Sequence, residues 1–288
     1  MLNKLILGTV QFGVNYGINN LEGKPSLEKS FNILNVAYEN NIKTLDTAEG
    51  YGNAHEVIRL FHNNNPTKIF KVITKLPKLV NYDIAHKVES YLKGLKINRL
   101  ETLMFHSFDC YQNNINNLEI FKNLKSNNKI NYLGVSVYTN DELEKVIKNE
   151  NIDIIQLPFN LLDNINCRGE ILKKAKNKGK IIHTRSSFLQ GLFFKDPNDK
   201  IHIVKKLKKQ LEILKQIRME SNCSVEELAI GYCVCQNNID NVIIGVDSIN
   251  QLKANIKATS YKLNQKILKN INALKVHNLD LLNPSLWN

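Results

Sequence analysis

The sequence lacks the features that mark membrane, secreted and disulfide-linked proteins. No uninterrupted apolar stretch approaches the ~18 residues needed to cross a bilayer, and the start, Met1-Leu2-Asn3-Lys4, leads into a strand-like run rather than a signal peptide. No Cys-x-x-Cys pair occurs among the five scattered cysteines, Cys110, Cys167, Cys223, Cys233 and Cys235. We therefore expect a cytoplasmic protein with reduced thiols and no membrane partner.

Two common phosphate-binding motifs are also missing. Gly50 and Gly52 lack the third glycine of a Gly-x-Gly-x-x-Gly fingerprint, Gly134 stands alone, and there is no Walker-type loop. An open Rossmann sheet is therefore not favoured. His55 and His62 lie seven residues apart on one predicted helix, without the i, i+4 spacing of a zinc site, so we expect both to be solvated and no metal to be bound.

The charge balance is strongly positive. Lys and Arg number 39 against 27 Asp and Glu, a formal net charge of +12, and such a field attracts anions. Nucleic acid is one candidate, but the lysine-rich stretches 173–180 and 205–215 contain no interleaved aromatic residues for base stacking. They are typical of solvated helix faces. We expect no nucleic-acid partner, and a phosphorylated cofactor or substrate would benefit from the same field.

Hydrophobic periodicity predicts a regular alternation of strands and helices, with no linker or low-complexity segment. The predicted strands are 4–9, 42–46, 70–75, 100–106, 132–136, 153–157, 180–184 and 241–245. The predicted helices are 26–41, 54–62, 84–95, 117–129, 141–149 with Asn140 as its cap, 169–178, 203–220, 225–236, 249–259 and 265–276. Alternating elements imply a parallel sheet, and eight repeats in about 260 residues favour an α/β fold of (β/α)8 TIM-barrel type, one domain over residues 1–288.

In such a barrel the carboxyl ends of all strands meet at one mouth, where catalytic groups collect. Asp46, Lys75 and His106 end consecutive predicted strands, so we expect them to lie side by side, with Tyr51 on the loop after Asp46. The polar or small groups at or just beyond the ends of the other strands are Thr9, Ser136, Gln156, Ser186 and Gly245.

These four residue types suit carbonyl chemistry. A carboxylate keeps a neighbouring ammonium charged and in place, and a fixed cation lowers a phenol's pKa from its usual value of about 10. Such a phenol can exchange a proton with a carbonyl oxygen, and a neutral imidazole can polarise the same oxygen. The set lacks a source of hydride, so a nicotinamide cofactor would have to lie across the mouth.

The segments that carry these residues resemble the catalytic signature of the aldo/keto reductases. They are TLDTAEGYGNAHEV (44–57), VITK (72–75) and LETLMFHS (100–107). The resemblance implies an NAD(P)H-dependent carbonyl reductase. Tyr51 would be the proton donor, Lys75 would tune it, Asp46 would pair with that lysine, and His106 would orient the carbonyl.

Five further segments are similar to the family's cofactor-binding segments: LILGTVQFG (5–13), GVSVY (134–138), IIQLPFNLL (154–162), SSFLQGLF (186–193) and IIGVDSINQLKANI (243–256). The resemblance implies cofactor contacts to the nicotinamide, the pyrophosphate and the adenosine phosphate in turn. The residues concerned are Gly8, Thr9, Asp46, Ser136, Gln156, Ser186, Phe188, Gly191, Gly245, Ser248, Gln251 and Asn255.

The chain departs from the family pattern at two cofactor positions. Val137 replaces a residue that is usually polar, which removes one contact. Asp247 occupies a place where NADP-using relatives often have Ser, and its carboxylate would repel the 2′-phosphate unless Ser248 or Lys253 compensates. The family implies NADP(H), which we expect here, and Asp247 leaves NAD(H) open.

Two alternative functions would use the same barrel. Lys75 could act as a Schiff-base nucleophile in a lyase, which would leave Tyr51 and the phosphate-binding segments unexplained. The chain could also be a redox-sensing subunit that binds cofactor with little turnover. For a reductase, the GTVQFG opening resembles a bacterial branch associated with surface-polysaccharide or sugar metabolism, so we expect a small carbonyl substrate, with a sugar-derived carbonyl as one candidate. The sequence leaves monomer or homodimer open, and Trp287 is either a cap on the mouth or part of the tail.

Overall fold

Eight parallel strands close into a barrel in which each strand pairs with the next along the chain and β8 pairs with β1. The computed structural model describes residues 4–20, 22–77, 83–114, 116 and 118–287. The strands are β1 (Leu5–Gly8), β2 (Thr44–Asp46), β3 (Lys71–Leu76), β4 (Leu100–Phe105), β5 (Ile130–Ser136), β6 (Ile154–Pro158), β7 (Ile181–Arg185) and β8 (Asn241–Ile244). The predicted (β/α)8 barrel is confirmed.

Helices connect the strands and cover the outside of the barrel. They are α1 (Val10–Gly13), α2 (Leu27–Glu39), α3 (Ala54–Asn64), α4 (Ile84–Leu95), α5 (Phe108–Asn114), α6 (Leu118–Ser126), α7 (Asn140–Ile147), α8 (Ile165–Asn177), α9 (His202–Lys206), α10 (Lys208–Ser221), α11 (Val225–Val234), α12 (Ile249–Ala258) and α13 (Gln265–Asn272). A 3₁₀ segment, Leu189–Phe194, follows β7. In the described part of the chain, no helix has both the length and the apolar character needed to cross a membrane.

The alternation of side chains along each strand divides the apolar residues between two cores. On β1, Leu5 and Leu7 belong to the large core between strands and helices. Ile6, between them, belongs to a small cluster that fills the barrel interior and also contains Ile73, Met104, Ile154 and Ile243. Residues above this cluster on the same inward faces therefore point into the mouth.

Several helix boundaries differ from the predicted ones for local reasons. Thr139, not Asn140, caps α7, because its hydroxyl accepts the Glu142 N–H while the Glu142 carboxylate accepts the Thr139 N–H. The single helix predicted over 203–220 is two helices, α9 and α10, that break at Leu207, where ψ is 13°. Apolar periodicity continues across the break because Leu207 is itself buried.

The expectation that His62 is solvated is wrong. His62 is 2% exposed, its Nδ1–H donates to the Leu95 carbonyl at 2.8 Å, and its Nε2 accepts the Phe70 N–H at 3.1 Å. These bonds tie α3 to the end of α4 and to the residue before β3. His55 is partly buried and bonds Thr74 Oγ1 at 2.9 Å, so it is also part of the packing.

Candidate active site

A cavity of about 660 Å³ opens at the carboxyl ends of the strands. Its lining includes every predicted site residue except Ser248, whose hydroxyl instead accepts the Gln251 N–H at the start of α12. A separate groove of about 250 Å³ between the 3₁₀ segment and α10 contains none of the predicted catalytic residues. The residues predicted from the sequence to carry the chemistry therefore lie in one cavity.

The centre of the cavity is a buried ion pair. Lys75 Nζ lies 2.6 Å from Asp46 Oδ1, and its side chain is 1% exposed. The other two ammonium bonds go to the Thr47 carbonyl at 3.0 Å and to Tyr51 Oη at 3.4 Å, so all three donors are used. Burial is the largest cause and would lower the pKa of Lys75, but the Asp46 carboxylate and Tyr51 together outweigh it and the pKa is raised. The lysine is thus held as a cation.

Close backbone packing positions Tyr51. A Cβ added to Gly13 would lie 1.6 Å from the Tyr51 carbonyl oxygen, and one added to Gly52 would lie 2.3 Å from the Gly13 carbonyl oxygen. Gly52 also has a φ of +52°, which L-residues adopt at a cost. Glycine at both positions lets α1 and the loop after β2 approach closely enough to bring the phenol over Lys75.

His106 lies beside Tyr51 as a neutral imidazole. The two rings are 5.8 Å apart between centroids and nearly perpendicular. Burial, with the Lys75 cation as the next cause, lowers the pKa of His106 to about 4. At neutral pH the ring therefore has one N–H to donate and carries no charge.

Three polar residues complete this end of the cavity. Gln156 is 1% exposed, and its amide donates to Asp46 Oδ2 at 2.8 Å, which satisfies the second carboxylate oxygen. Ser136 ends β5 and lines the cavity, and its hydroxyl makes no hydrogen bond with another described residue. Thr9 donates its hydroxyl to the Asp46 carbonyl at 3.1 Å and so fixes β1 against β2.

The opposite end of the cavity has the shape and donors that a dinucleotide requires. A Cβ on Gly245 would lie 2.3 Å from Gln11 Nε2, so glycine at this position leaves room for the Gln11 amide. Gln11 Oε1 is buried and finds no partner in the part of the chain that the structure describes. Asn255 on α12 is 2% exposed, lines the cavity, and likewise bonds no described side chain or backbone group. These free polar groups fit a bound cofactor.

Sequence reasoning missed several residues of the cavity wall. Arg185 lies 4.2 Å from the centroid of the Tyr138 ring, and Tyr16 Oη accepts a bond from Gln190 at 3.2 Å. Arg185 was missed because β7 was expected to end at Thr184, although the inward alternation from His183 leads to it. The tail reaches the cavity through Pro284 and Ser285. Trp287 is not in the lining and donates to the Leu281 carbonyl, so it belongs to the fold of the tail.

Comparison with known proteins agrees with this architecture. Residues 4–276 match the aldo/keto reductase family. The chain is 26% identical to an uncharacterized oxidoreductase, YqkF, of Bacillus subtilis (strain 168), with 90% of this chain and 92% of that protein covered.

Two solved structures share the fold. The holo form of aldo-keto reductase AKR11C1 from Bacillus halodurans has a TM-score of 0.76 at 21% identity and covers 95% of this chain and 92% of its own. A putative aldo-keto reductase from Pseudomonas aeruginosa has a TM-score of 0.63 at 18% identity, with 90% of each chain covered. With the family match over nearly the whole chain, the protein belongs to the aldo/keto reductases, oxidoreductases that use nicotinamide cofactors and act on small-molecule substrates.

Proposed function

We propose that the protein is an NAD(P)H-dependent carbonyl reductase with Tyr51 as its general acid. The observation that carries the proposal is the chain of contacts from Asp46 through the Lys75 ammonium to Tyr51 Oη. Because Lys75 is buried and its charge is fixed by Asp46, its field acts on the phenol with little screening by water. That is the setting in which a phenolate can form and be reprotonated in each cycle.

When bound, the reduced nicotinamide supplies the hydride that adds to the carbonyl carbon. Tyr51 gives its phenolic proton to the carbonyl oxygen as the negative charge develops there. Lys75 stabilises the phenolate that remains, and neutral His106 donates its N–H to the same oxygen. Solvent then returns a proton to Tyr51, so the net reaction converts a carbonyl to an alcohol with one hydride and one proton.

The cofactor would lie along the cavity. Ser136 and Gln156 would contact the nicotinamide carboxamide, and Gly8, Thr9 and Asp46 would also contribute to this end of the cofactor site. The pyrophosphate would lie against the segment that contains Ser186, Phe188 and Gly191, and the adenosine against Gly245, Gln251 and Asn255. Ser248 would act indirectly, by capping α12. The family resemblance makes NADP(H) the first expectation, and the side chains around Asp247 bear on that choice below.

The same ion pair argues against the lyase reading. A Schiff base needs an uncharged amine, and Asp46 raises the pKa of Lys75 above its ordinary value. Each of the three ammonium protons is also bonded to an acceptor, and in this charged form the nitrogen has no lone pair for attack.

A sugar-derived carbonyl is the substrate class we propose. The wall near Tyr51 presents hydroxyl, guanidinium and amide groups from Tyr16, Tyr138, Arg185 and Gln190. Such groups suit a polyhydroxylated molecule better than an apolar aldehyde. A panel of sugar carbonyls, apolar aldehydes and ketones, followed by loss of nicotinamide absorbance, checks the proposal. A higher kcat/KM for the apolar members would contradict it.

The role of Tyr51 is tested by Tyr51→Phe, which removes one oxygen. We expect kcat to fall by about 10²-fold or more, because general acid catalysis contributes on that order. Cofactor affinity should stay within about twofold, because the phenol acts on the carbonyl and not on the dinucleotide. Tyr38→Phe is the matched control: its hydroxyl bonds the Thr67 carbonyl on the outer surface, and its kcat should equal the parent value.

The two remaining outcomes have different meanings. Carbonyl reduction by Tyr51→Phe at the parent rate would overturn the assignment of roles. A parent protein that retains cofactor tightly and reduces no carbonyl of the panel would favour the redox-sensing subunit instead.

A further inference from the structure

The end of the cavity opposite Tyr51 contains a carboxylate in a fixed position. We call this the adenosine end and define it by Asn20, Asp247, Gln251 and Asn255, all of which line the cavity. The name rests on the proposed function. With the nicotinamide beside Tyr51, an extended dinucleotide places its adenosine ribose at the far end, next to the start of α12.

Two neighbours hold Asp247 in place. Asn20 Nδ2 donates to Asp247 Oδ1 at 3.2 Å, and the Asp247 backbone N–H donates to Gln251 Oε1 at 2.7 Å. Asn20 is itself anchored, because its amide oxygen accepts the Gly23 N–H at 2.8 Å and its amide nitrogen donates to the Gly23 carbonyl at 3.0 Å. The carboxylate is therefore oriented before any ligand arrives.

No cation balances this carboxylate within the described residues. Asp247 forms no salt bridge there, and the fixed positive charges of the cavity lining are Lys75 and Arg185, which belong to the Tyr51 end. Lys253, the compensating residue considered from the sequence, is exposed and is not part of the lining. The Ser248 hydroxyl accepts the Gln251 N–H, is uncharged, and is not part of the lining.

The charged group that raises the pKa of Asp247 is another carboxylate, Glu22. The pKa of Asp247 is raised, first by burial, and the Glu22 carboxylate adds to the rise against the opposing bond of Gln251. The ammonium of Lys29 is bonded to Glu22 at 2.9 Å. A second negative group at the adenosine end would therefore meet like charge without a partner.

From this geometry we infer that the adenosine end selects the unphosphorylated ribose, so that the protein uses NAD(H) in preference to NADP(H). A ribose 2′-hydroxyl can donate to the Asp247 carboxylate, as it does to acidic residues in other dinucleotide sites. A 2′-phosphate is mostly deprotonated at neutral pH and brings a charge of about −1.5 to −2 against the carboxylate. The inference reverses the expectation drawn from the family resemblance.

Equilibrium binding tests the inference without any turnover. The dissociation constants of NADH and NADPH for the full chain are measured by isothermal titration calorimetry in one buffer. We expect NADH to bind at least about tenfold more tightly, because like-charge contacts at an interface are strongly unfavourable. Equal affinities, or tighter NADPH, would overturn the inference.

The variant Asp247→Asn isolates the charge, since its amide oxygen can still accept the bond from Asn20. We expect NADPH affinity to rise by about tenfold and NADH affinity to fall a few-fold, so the ratio between them shrinks or inverts. Glu119→Gln is the control: it removes one negative charge from the exposed Glu119–Lys122 pair on α6 and should leave the ratio unchanged. An unchanged ratio in Asp247→Asn contradicts the role of this residue.

The same titrations separate this inference from the proposed function. If the parent binds both dinucleotides and prefers NADPH, the inference fails and the reductase proposal stands. If neither dinucleotide binds, the proposed function fails and the inference fails with it.

Discussion

The ion pair of Asp46 and Lys75 matters for the stability of the protein as well as for its chemistry. Each charge is costly to bury alone, and each is tolerated here because the other lies 2.6 Å away. Gln156 adds a bond to the second carboxylate oxygen. Removing one partner therefore leaves a buried charge without compensation, whereas removing both leaves no buried charge.

We predict that Lys75→Met destabilises the protein by about 3–5 kcal/mol, because Asp46 is left as a buried charge without its cation. The double variant Asp46→Asn, Lys75→Met should regain most of that free energy of unfolding while remaining inactive, because the cation beside Tyr51 is still missing. Urea unfolding at pH 7 measures the first effect and carbonyl reduction the second.

An exposed pair provides the comparison. Lys122 and Glu119 lie 2.8 Å apart with both side chains more than half exposed, so Lys122→Met should change the free energy of unfolding by no more than about 0.5 kcal/mol. A Lys75→Met protein as stable as the parent would show that the buried pair is not an energetic unit.

At the scale of elements, the catalytic loop depends on the contact between α1 and the segment after β2. We predict that Gly13→Ala lowers kcat by about 10²-fold, because the new methyl group must displace the Tyr51 carbonyl and shift the phenol by about 1 Å. Cofactor affinity should change little, since Gly13 is not in the cavity lining.

Gly50→Ala is the matched control in the same loop. A Cβ at Gly50 meets nothing within 4 Å, and Gly50 is not among the residues with positive φ. Its kcat should stay within about twofold of the parent value. If both variants lose activity equally, general loosening of the loop explains the loss and the Gly13 contact does not.

The elements were largely predictable where a local signal determined them. Apolar runs ending in Asp46 and Ser136 located β2 and β5 correctly, and the capping box of Ser224 and Glu227 located the start of α11. Local signals fail where a tertiary contact decides. The burial of His62 depends on the Leu95 carbonyl, which is 33 positions away.

The candidate site, too, was predictable where a local signal determined it and not where a tertiary contact did. Residues at strand ends were found because parallel strands share one mouth, and the four residues proposed as catalytic do converge there. The site residue that the pattern misplaced is Ser248, whose hydroxyl the helix start uses as a cap. Asn20 was not found, because its role depends on a loop fold that brings it to Asp247 across 227 positions.

Closure of the barrel joins the first and last strands into one structure. β1 and β8 pair through Ile6 and Ile243, so the first and last strands form one wall of the cavity, from Gly8 to Gly245. Below them, the Lys4 ammonium donates to the carbonyls of Val234, Gln236 and Ile239, which ties the chain's start to the end of α11. Part of the positive charge thus holds the fold rather than attracting a partner.

The barrel interior also contains a histidine that couples folding to pH. His183 on β7 is in register with Gln156, so its ring points inward, and it is 5% exposed. Its Nδ1 finds no partner among the described residues. Burial lowers the pKa of His183 to about 4; Lys75 lowers it further, while Asp46 and Asp240 oppose the change.

We predict that this histidine makes the protein acid-sensitive between about pH 6.5 and pH 4. In that window the unfolded chain binds a proton that the folded barrel rejects, so stability is complete above pH 6.5 and falls as the pH is lowered, by up to about 1.4 kcal/mol per pH unit. Urea unfolding at pH 7.5, 6.5, 5.5 and 4.5 measures the slope, which should be shallower in His183→Leu and in His183→Gln.

The exposed His86 provides the control, because His86→Gln should follow the parent curve. Parent and both His183 variants with the same slope would mean that acid sensitivity arises elsewhere, in the carboxylates or in His55 and His106, whose pKa values burial also lowers to about 4.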